Sequence, residues 1–419
     1  MTGVRLALLR PLAGLALAVA GPAAASAPEG APEPAPEQAP EQAPAPARVV
    51  VAFDRERIEP LIVEGVAERA SGRAVAANDP VRIASISKLV MALAALRLAE
   101  EGVVDLNADV SDHLGWKLRA PGFPDAPVTL AQVLSHRAGL RDAGGYIIPL
   151  GDSLRQRLAD PRSWYRDAPP GEAPFEYANL GSPLVASVLE AASGERYDDL
   201  VERLVFAPLG IEACVNWTRC SPGRIARAVA LYRDTGEPAR DFPGDLPPAC
   251  AIPVAEGAAC DLSGYVPGSN ASVFSPQGGV RIGMVDLARL GQALVRGGEG
   301  VVSGESLAAM LASARPRVEG QAFFCGYGLG VQAIEMPGRP CIDPLFADGI
   351  PRFGHAGEAY GLRSGLWFDP ESGKGLAYFV TAVPPRIGAE GASGFDPREI
   401  ALVGRAQGLL EARGNAAGR

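Results

Sequence analysis

The chain has 419 residues, 47% of them apolar and 21% charged, with a net charge of −9. That length can bury one large or two ordinary cores, and an acidic balance without a basic stripe excludes nonspecific nucleic-acid binding. The 50 Gly and 38 Pro residues are too many for a helical bundle and too aperiodic for a collagen-like chain.

In chain order, the first 27 residues have the pattern of an export signal. Arg5 and Arg10 precede an apolar run over 11–20, and AAASA at 23–27 offers small-residue cleavage sites. Cleavage is expected after Ala25 ahead of Ala27, because Pro28 adjoins the second site. The competing reading is an uncleaved anchor over the uncharged run 11–27. Residues 28–47 repeat Pro, Glu, Gln and Ala and read as an extended tether.

The folded part begins with RVVVAF at 48–53, which predicts a strand. Residues 86–100 predict a helix that is apolar on nearly every side and therefore buried. Thr129 caps a short helix within 128–135, and further helices are expected at 182–193, 197–206 and 285–297. Near the end the period changes to 2. Residues 362–368 and 376–383 predict an antiparallel hairpin, with DPESGKG as its turn. Asp396-Pro397 opens a last helix with Glu399 at the capping-box position; the domain is expected to end near 413, leaving 414–419 as a tail. This order implies an α+β fold: an antiparallel β-sheet flanked by N- and C-terminal helices, with a largely helical second lobe inserted at about 105–275.

The six cysteines all follow residue 210 and fall into local pairs: Cys214 with Cys220, Cys250 with Cys260, and Cys325 with Cys341. An even count in an exported chain favours disulfides. No C-x₂-C spacing exists and the three histidines are scattered, so no metal site is expected.

Three short motifs carry chemistry. Ser85-Ile86-Ser87-Lys88 opens the buried helix, and residues three apart share a face, so hydroxyl and amine can meet. A hydroxyl is a poor nucleophile until a base takes its proton, and a desolvated lysine can be that base. The helix N-terminus adds free N–H groups where an oxyanion would form. Tyr177-Ala178-Asn179 comes second; a phenol near an ammonium would ionise more easily and shuttle a proton, while the amide orients lysine and substrate. Third is Gly354-His355-Ala356-Gly357, just before the hairpin, where glycines permit close backbone approach. Taken singly, each motif also has a purely structural reading.

The order S-x-x-K, Y-x-N, H-x-G resembles the serine β-lactamase-like hydrolases, the family of class C β-lactamases, D-alanyl-D-alanine carboxypeptidases and related esterases. The resemblance runs over roughly 48–413, through LSHRAGL at 134–140, GEAPFEYANLGSPLVASVLEAASGERY at 171–197, LVFAPLGI at 204–211, SPQGGVRIGMVDLARLGQAL at 275–294, YGLGVQ at 327–332 and GHAGEAYGLRSGLWFDPESGKG at 354–375. It implies Ser85 as the acylated nucleophile, Lys88 as its activator and Tyr177 as the general base that later activates water. Asn179, His355 and Gly357 would contact substrate, and the backbone N–H groups of Ser85 and Glu358 would form the oxyanion hole. The S-D-N and K-T-G motifs of class A β-lactamases are absent.

Where a lysine would offer a penicillin carboxylate a fixed charge, His355 stands, mostly neutral at pH 7. That favours an exported, cofactor-independent esterase or amidase acting on a small ester, amide or peptide. A β-lactamase or D-Ala-D-Ala carboxypeptidase is the alternative, and a non-catalytic penicillin- or peptidoglycan-binding sensor the competing class. Periplasmic or extracellular residence follows from the signal, with no membrane domain beyond it.

The remaining signals count for less. Gly326–Gly330 is glycine-rich but lacks the G-K-[ST] of a phosphate loop. His136 and His113 read as structural, and Trp164, Tyr146 and Tyr360 are candidates for the cleft wall. Only three of the 39 basic residues are lysines, Lys88, Lys117 and Lys374, so nearly every other positive charge sits on a group that cannot lose its proton.

Overall fold

In the first strand, side chains alternate between two faces, and both faces are apolar: Val49, Val51 and Phe53 on one, Val50 and Ala52 on the other. A strand of that kind belongs in the middle of a sheet covered on both sides. The computed structural model of this chain describes residues 45–232, 237–239, 250–338, 340–384 and 394–417. The expected export signal, and all of the tether but its last three residues, lie outside them. Those last three belong to the fold: the Val66 N–H donates to the Ala45 carbonyl, and Ala47 exchanges backbone and hydroxyl bonds with Thr381.

Seven strands form the main sheet: β1 (Arg48–Asp54), β2 (Ile58–Glu64), β3 (Gly326–Tyr327), β4 (Gln332–Ile334), β5 (Arg352–Ala359), β6 (Leu362–Asp369) and β7 (Lys374–Val380). Every neighbouring pair is antiparallel, in the order β2-β1-β7-β6-β5-β4-β3. The expected hairpin is β6–β7. β7 ends at Val380 rather than 383: the Thr381 N–H still bonds the Ala47 carbonyl, but Ala382 has φ 57°, which breaks the extended backbone.

One face of the sheet packs on α1 (Ser87–Glu100) and α4 (Met284–Val295). The other receives α5 (Pro397–Ala417) through Leu402, Val403 and Ala406. Asp396 and Glu399 cap α5, the Asp396 N–H donating to the Glu399 carboxylate at 3.0 Å. This helix runs four residues past the expected boundary at 413. The helical lobe contributes α2 (Leu130–Leu134), closed by a Thr129–Gln132 capping box, and α3 (Gly181–Ser193). The helix expected at 197–206 is α-helical only to Val201, then continues as a π-turn to Phe206.

A second, three-stranded sheet of Val81–Arg82, Val280–Ile282 and Cys214–Val215 ties the chain before Ser85 to that before α4. All three expected cysteine pairs are joined, with Cα separations of 5.3, 5.7 and 5.9 Å. Among the described residues, no helix is long and apolar enough to cross a membrane, and no group of three or more His, Cys, Asp or Glu side chains could hold a metal.

Candidate active site

Ser85 lies not in α1 itself but in a 3₁₀ turn, Ala84–Ile86, that leads into it. In such a turn residues i and i+3 stack almost directly, which brings Lys88 Nζ to 3.1 Å from Ser85 Oγ. Ala84, immediately before the serine, has φ 49°, a conformation that is costly for a residue with a Cβ. Two contacts lock this turn in place. The Val280 N–H donates to Ser87 Oγ at 3.1 Å, and Ser364 Oγ of β6 donates to the Ile83 carbonyl at 3.0 Å.

Lys88 is buried, 2% exposed, and makes three contacts: Ser85 Oγ, Asn179 Oδ1 at 2.8 Å and the Gln277 carbonyl at 3.1 Å. Two of these partners are carbonyl oxygens, which only accept. A neutral amine keeps two N–H donors, so both carbonyls stay satisfied and the lone pair is left for Ser85. Burial pushes the ammonium down to about 7, opposed by the negative charge of Asp142. The site therefore holds, near neutrality, a lysine able to accept the serine's proton.

Tyr177 stands beside this pair, with Lys88 Nζ 4.8 Å from its ring centre and its hydroxyl bonded to Ser85. The ring stacks on Phe324 at 4.4 Å and lies 4.4 Å from the His136 ring. This packing pushes the phenol up from its ordinary value, with Asp142 adding to the effect. The expectation that a nearby ammonium would ease its ionisation is thus reversed, because desolvation outweighs the attraction of a lysine that is itself partly neutral.

Behind Tyr177 runs a buried chain with a defined direction. The Ala178 N–H donates to His136 Nδ1 at 3.2 Å, so the proton of that ring sits on Nε2 and points to Tyr327 Oη at 3.3 Å. Tyr327 then donates to His355 Nε2 at 3.0 Å, and His355 Nδ1 donates to the Ala356 carbonyl at 2.6 Å. Both rings are neutral in this arrangement. Burial and the charge of Lys88 push His136 well below its ordinary value and His355 down to about 3.

His355 and Gly357 lie on β5, which pairs with β4 only through Arg352–Gly354. From His355 onward its edge borders a cavity of about 500 Å³ that also contains Ser85, Tyr177, Asn179 and Glu358. Gly357 has a steric reason to be glycine. A Cβ there would lie 2.2 Å from Ser364 Oγ and 2.3 Å from the Ile83 carbonyl, pushing β5 away from the serine turn. Tyr146 and Tyr360 line the cavity, as expected of wall residues, together with Phe323, Phe324 and Phe395. Trp164 does not: it is buried in the helical lobe, its Nε1 donating to the Leu158 carbonyl at 2.7 Å.

The sequence motifs thus converge, but four contributors went unread. Tyr327 belongs to a glycine-rich run set aside for lacking a phosphate-loop lysine. Phe324 and Asp142 carried no pattern, and Gln277 acts through its carbonyl, which no side-chain motif can announce.

The family model described as Beta-lactamase matches residues 35–393. Penicillin-binding protein 4 of Amycolatopsis lactamdurans is 24% identical over 326 residues, covering 74% of this chain and 74% of its own. Penicillin-binding protein 4* of Bacillus subtilis (strain 168) is 33% identical over 171 residues, and esterase EstB of Burkholderia gladioli 29% over 211. The match spans only 36% and 51% of the length of those two proteins. Among solved structures, the D-amino acid amidase from Ochrobactrum anthropi SV3 shares the fold, with a TM-score of 0.62 at 19% identity over 88% of this chain and 94% of that one. With a family model spanning most of its length and its fold shared with solved relatives, the chain belongs to the beta-lactamase family.

Proposed function

We propose that this chain is an exported serine hydrolase of the esterase or amidase type, working through an acyl-enzyme on Ser85. One observation carries the reading: Lys88 is buried with its Nζ 3.1 Å from Ser85 Oγ, and its ammonium is pushed down to about 7. Neutral Lys88 takes the hydroxyl proton as Oγ attacks the substrate's carbonyl carbon. The proton passes, directly or over the Tyr177 hydroxyl, to the departing oxygen or nitrogen. Water then attacks the acyl carbon by the reverse route and frees Ser85. Tyr177 works here as a neutral relay rather than a phenolate. The backbone N–H groups of Ser85 and Glu358 are the candidates for holding the oxyanion. Export rests on the signal-like N-terminus and is supported by the three disulfides.

The aromatic cavity and the neutral His355 favour substrates without a carboxylate anchor. A second reading, a D-Ala-D-Ala carboxypeptidase or β-lactamase, draws on Arg363. This arginine lines the same cavity at 3% exposure, and its Nη1 pairs with Glu358 at 2.7 Å. Among the described residues its Nε and Nη2, both buried, have no hydrogen-bond partner, and that edge is the one a carboxylate would take bidentately.

The test is mass measurement of the mature protein after exposure to an acyl-ester probe, a fluorophosphonate and a penicillin. An adduct that disappears in Ser85→Ala is expected, and Lys88→Arg should be inactive, because a guanidinium cannot give up its proton. Labelling that survives Ser85→Ala, or full activity of Lys88→Arg, would sink the mechanism. Relative turnover of a short-chain nitrophenyl ester, a cephalosporin and a D-Ala-D-Ala peptide decides between the two readings.

A further inference from the structure

Lys88 can aim its lone pair at Ser85 only while Asn179 presents oxygen to it, and a side-chain amide has two nearly isosteric orientations. What selects one is Asp142, in a 3₁₀ turn of the helical lobe far from Asn179 in sequence. Its Oδ2 accepts from Asn179 Nδ2 at 2.9 Å and from the Asn179 backbone N–H at 3.0 Å, and its Oδ1 accepts from the Leu180 N–H at 2.9 Å. A carboxylate offers only acceptors, so the NH₂ end of the amide must face Asp142 and the oxygen must face Lys88.

In the flipped amide, an N–H would point at Lys88 Nζ. Against an ammonium that is donor against donor. Against a neutral amine it takes the lone pair that Ser85 requires. We propose that Asp142 is a positioning residue of this site: its carboxylate fixes which end of the Asn179 amide meets Lys88, and so directs the lysine at Ser85. The inference rests on the reading of Ser85 and Lys88 as nucleophile and activator.

The same carboxylate supplies the negative charge that holds protons on Lys88, opposing burial. The other groups facing Lys88 are Ser85, the ring of Tyr177, the Asn179 amide, the Gln277 carbonyl, and His136 and His355, both neutral in the hydrogen-bonded chain. Removing the charge of Asp142 therefore leaves no other carboxylate among these neighbours to favour the ammonium.

The scarcity of lysine makes the test direct. With only Lys88, Lys117 and Lys374 in the chain, lysine labelled with ¹³C at Cε gives three resonances, and the one missing from Lys88→Met is Lys88. Asp142→Asn keeps an oxygen for the backbone N–H groups but loses the charge and the command over the amide. Its Lys88 titration midpoint is expected to fall by about one pH unit relative to wild type. The kcat for a nitrophenyl ester should drop by about tenfold or more while KM stays within about threefold. An unmoved midpoint overturns the proposal, whatever happens to activity, since a merely structural role would lower the unfolding temperature and leave the Lys88 midpoint in place. If the wild type forms no acyl-enzyme yet the midpoint moves, the hydrolase reading fails and the link between Asp142 and Lys88 stands.

Discussion

Replacing Lys88 by methionine should change stability by an amount that depends on pH, the variant comparing best with wild type at low pH and losing ground as the pH rises. The unfolded chain holds its lysine proton up to the ordinary value of 10.5, whereas in the folded chain burial pushes the group down to about 7. Between those values the unfolded state binds more protons, so wild-type stability climbs with pH across that window and is flat outside it. The window is about 3.5 units wide, and at 1.36 kcal/mol per unit the full effect is on the order of 5 kcal/mol. At pH 6 nearly all of it burdens the wild type; by pH 9 about 2 kcal/mol remains, and above pH 11 about none. Lys88→Met adds a constant offset of the opposite sign, because the Asn179 and Gln277 oxygens lose their donor at roughly 1–3 kcal/mol each. The informative quantity is therefore the slope. Urea denaturation of both proteins at intervals from pH 6 to 10.5 should show the variant losing about 1.4 kcal/mol per pH unit relative to wild type above pH 7. Parallel curves would mean that Lys88 remains an ammonium throughout, and a neutral-lysine mechanism would have to be abandoned.

Two further outcomes test other parts of the fold. Gly357→Ala forces a Cβ against Ser364 Oγ and the Ile83 carbonyl. It should lower kcat/KM for a nitrophenyl ester by about a hundredfold and stability by roughly 1–3 kcal/mol; unchanged turnover would show that β5 need not lie so close to the serine turn. Glu190 is buried on α3, accepting from Tyr265 Oη at 2.5 Å, the Tyr197 N–H at 2.7 Å and the Gly268 N–H at 2.8 Å, and burial pushes its carboxyl up to about 7. Its folded value lies above the unfolded one, so the stability it confers is full below about pH 4.5 and is lost as the pH rises through 7, a change of about 3 kcal/mol. Glu190→Gln should flatten that decline in denaturation midpoints measured between pH 4.5 and 7, and an unaltered slope would assign it to other groups.

The sequence alone determined what local pattern can determine. Val49 to Phe53, apolar on both faces, is a central strand on composition alone, and the helix from Ser87 is apolar on all sides and so must be buried. Cysteines 6, 10 and 16 residues apart closed into the expected local pairs. Ser85 and Lys88 meet because three residues make one turn, a fact of covalent geometry that needs no partner. Only the tertiary structure decided how that pair is controlled. Asp142 faces Asn179, the Gln277 carbonyl caps Lys88 from 189 residues away, and Tyr327 joins two histidines that the sequence showed as unrelated. None of these contacts has a period or a spacing, because each is made by a loop or an edge strand brought up by the packing of the sheet and the helical lobe. The protonation of the site followed the same division. That a lysine in an apolar helix would lose its proton readily could be argued from its neighbours in sequence. That Tyr177 would hold its proton more tightly could not, because the rings that desolvate it come from positions 136, 324 and 327.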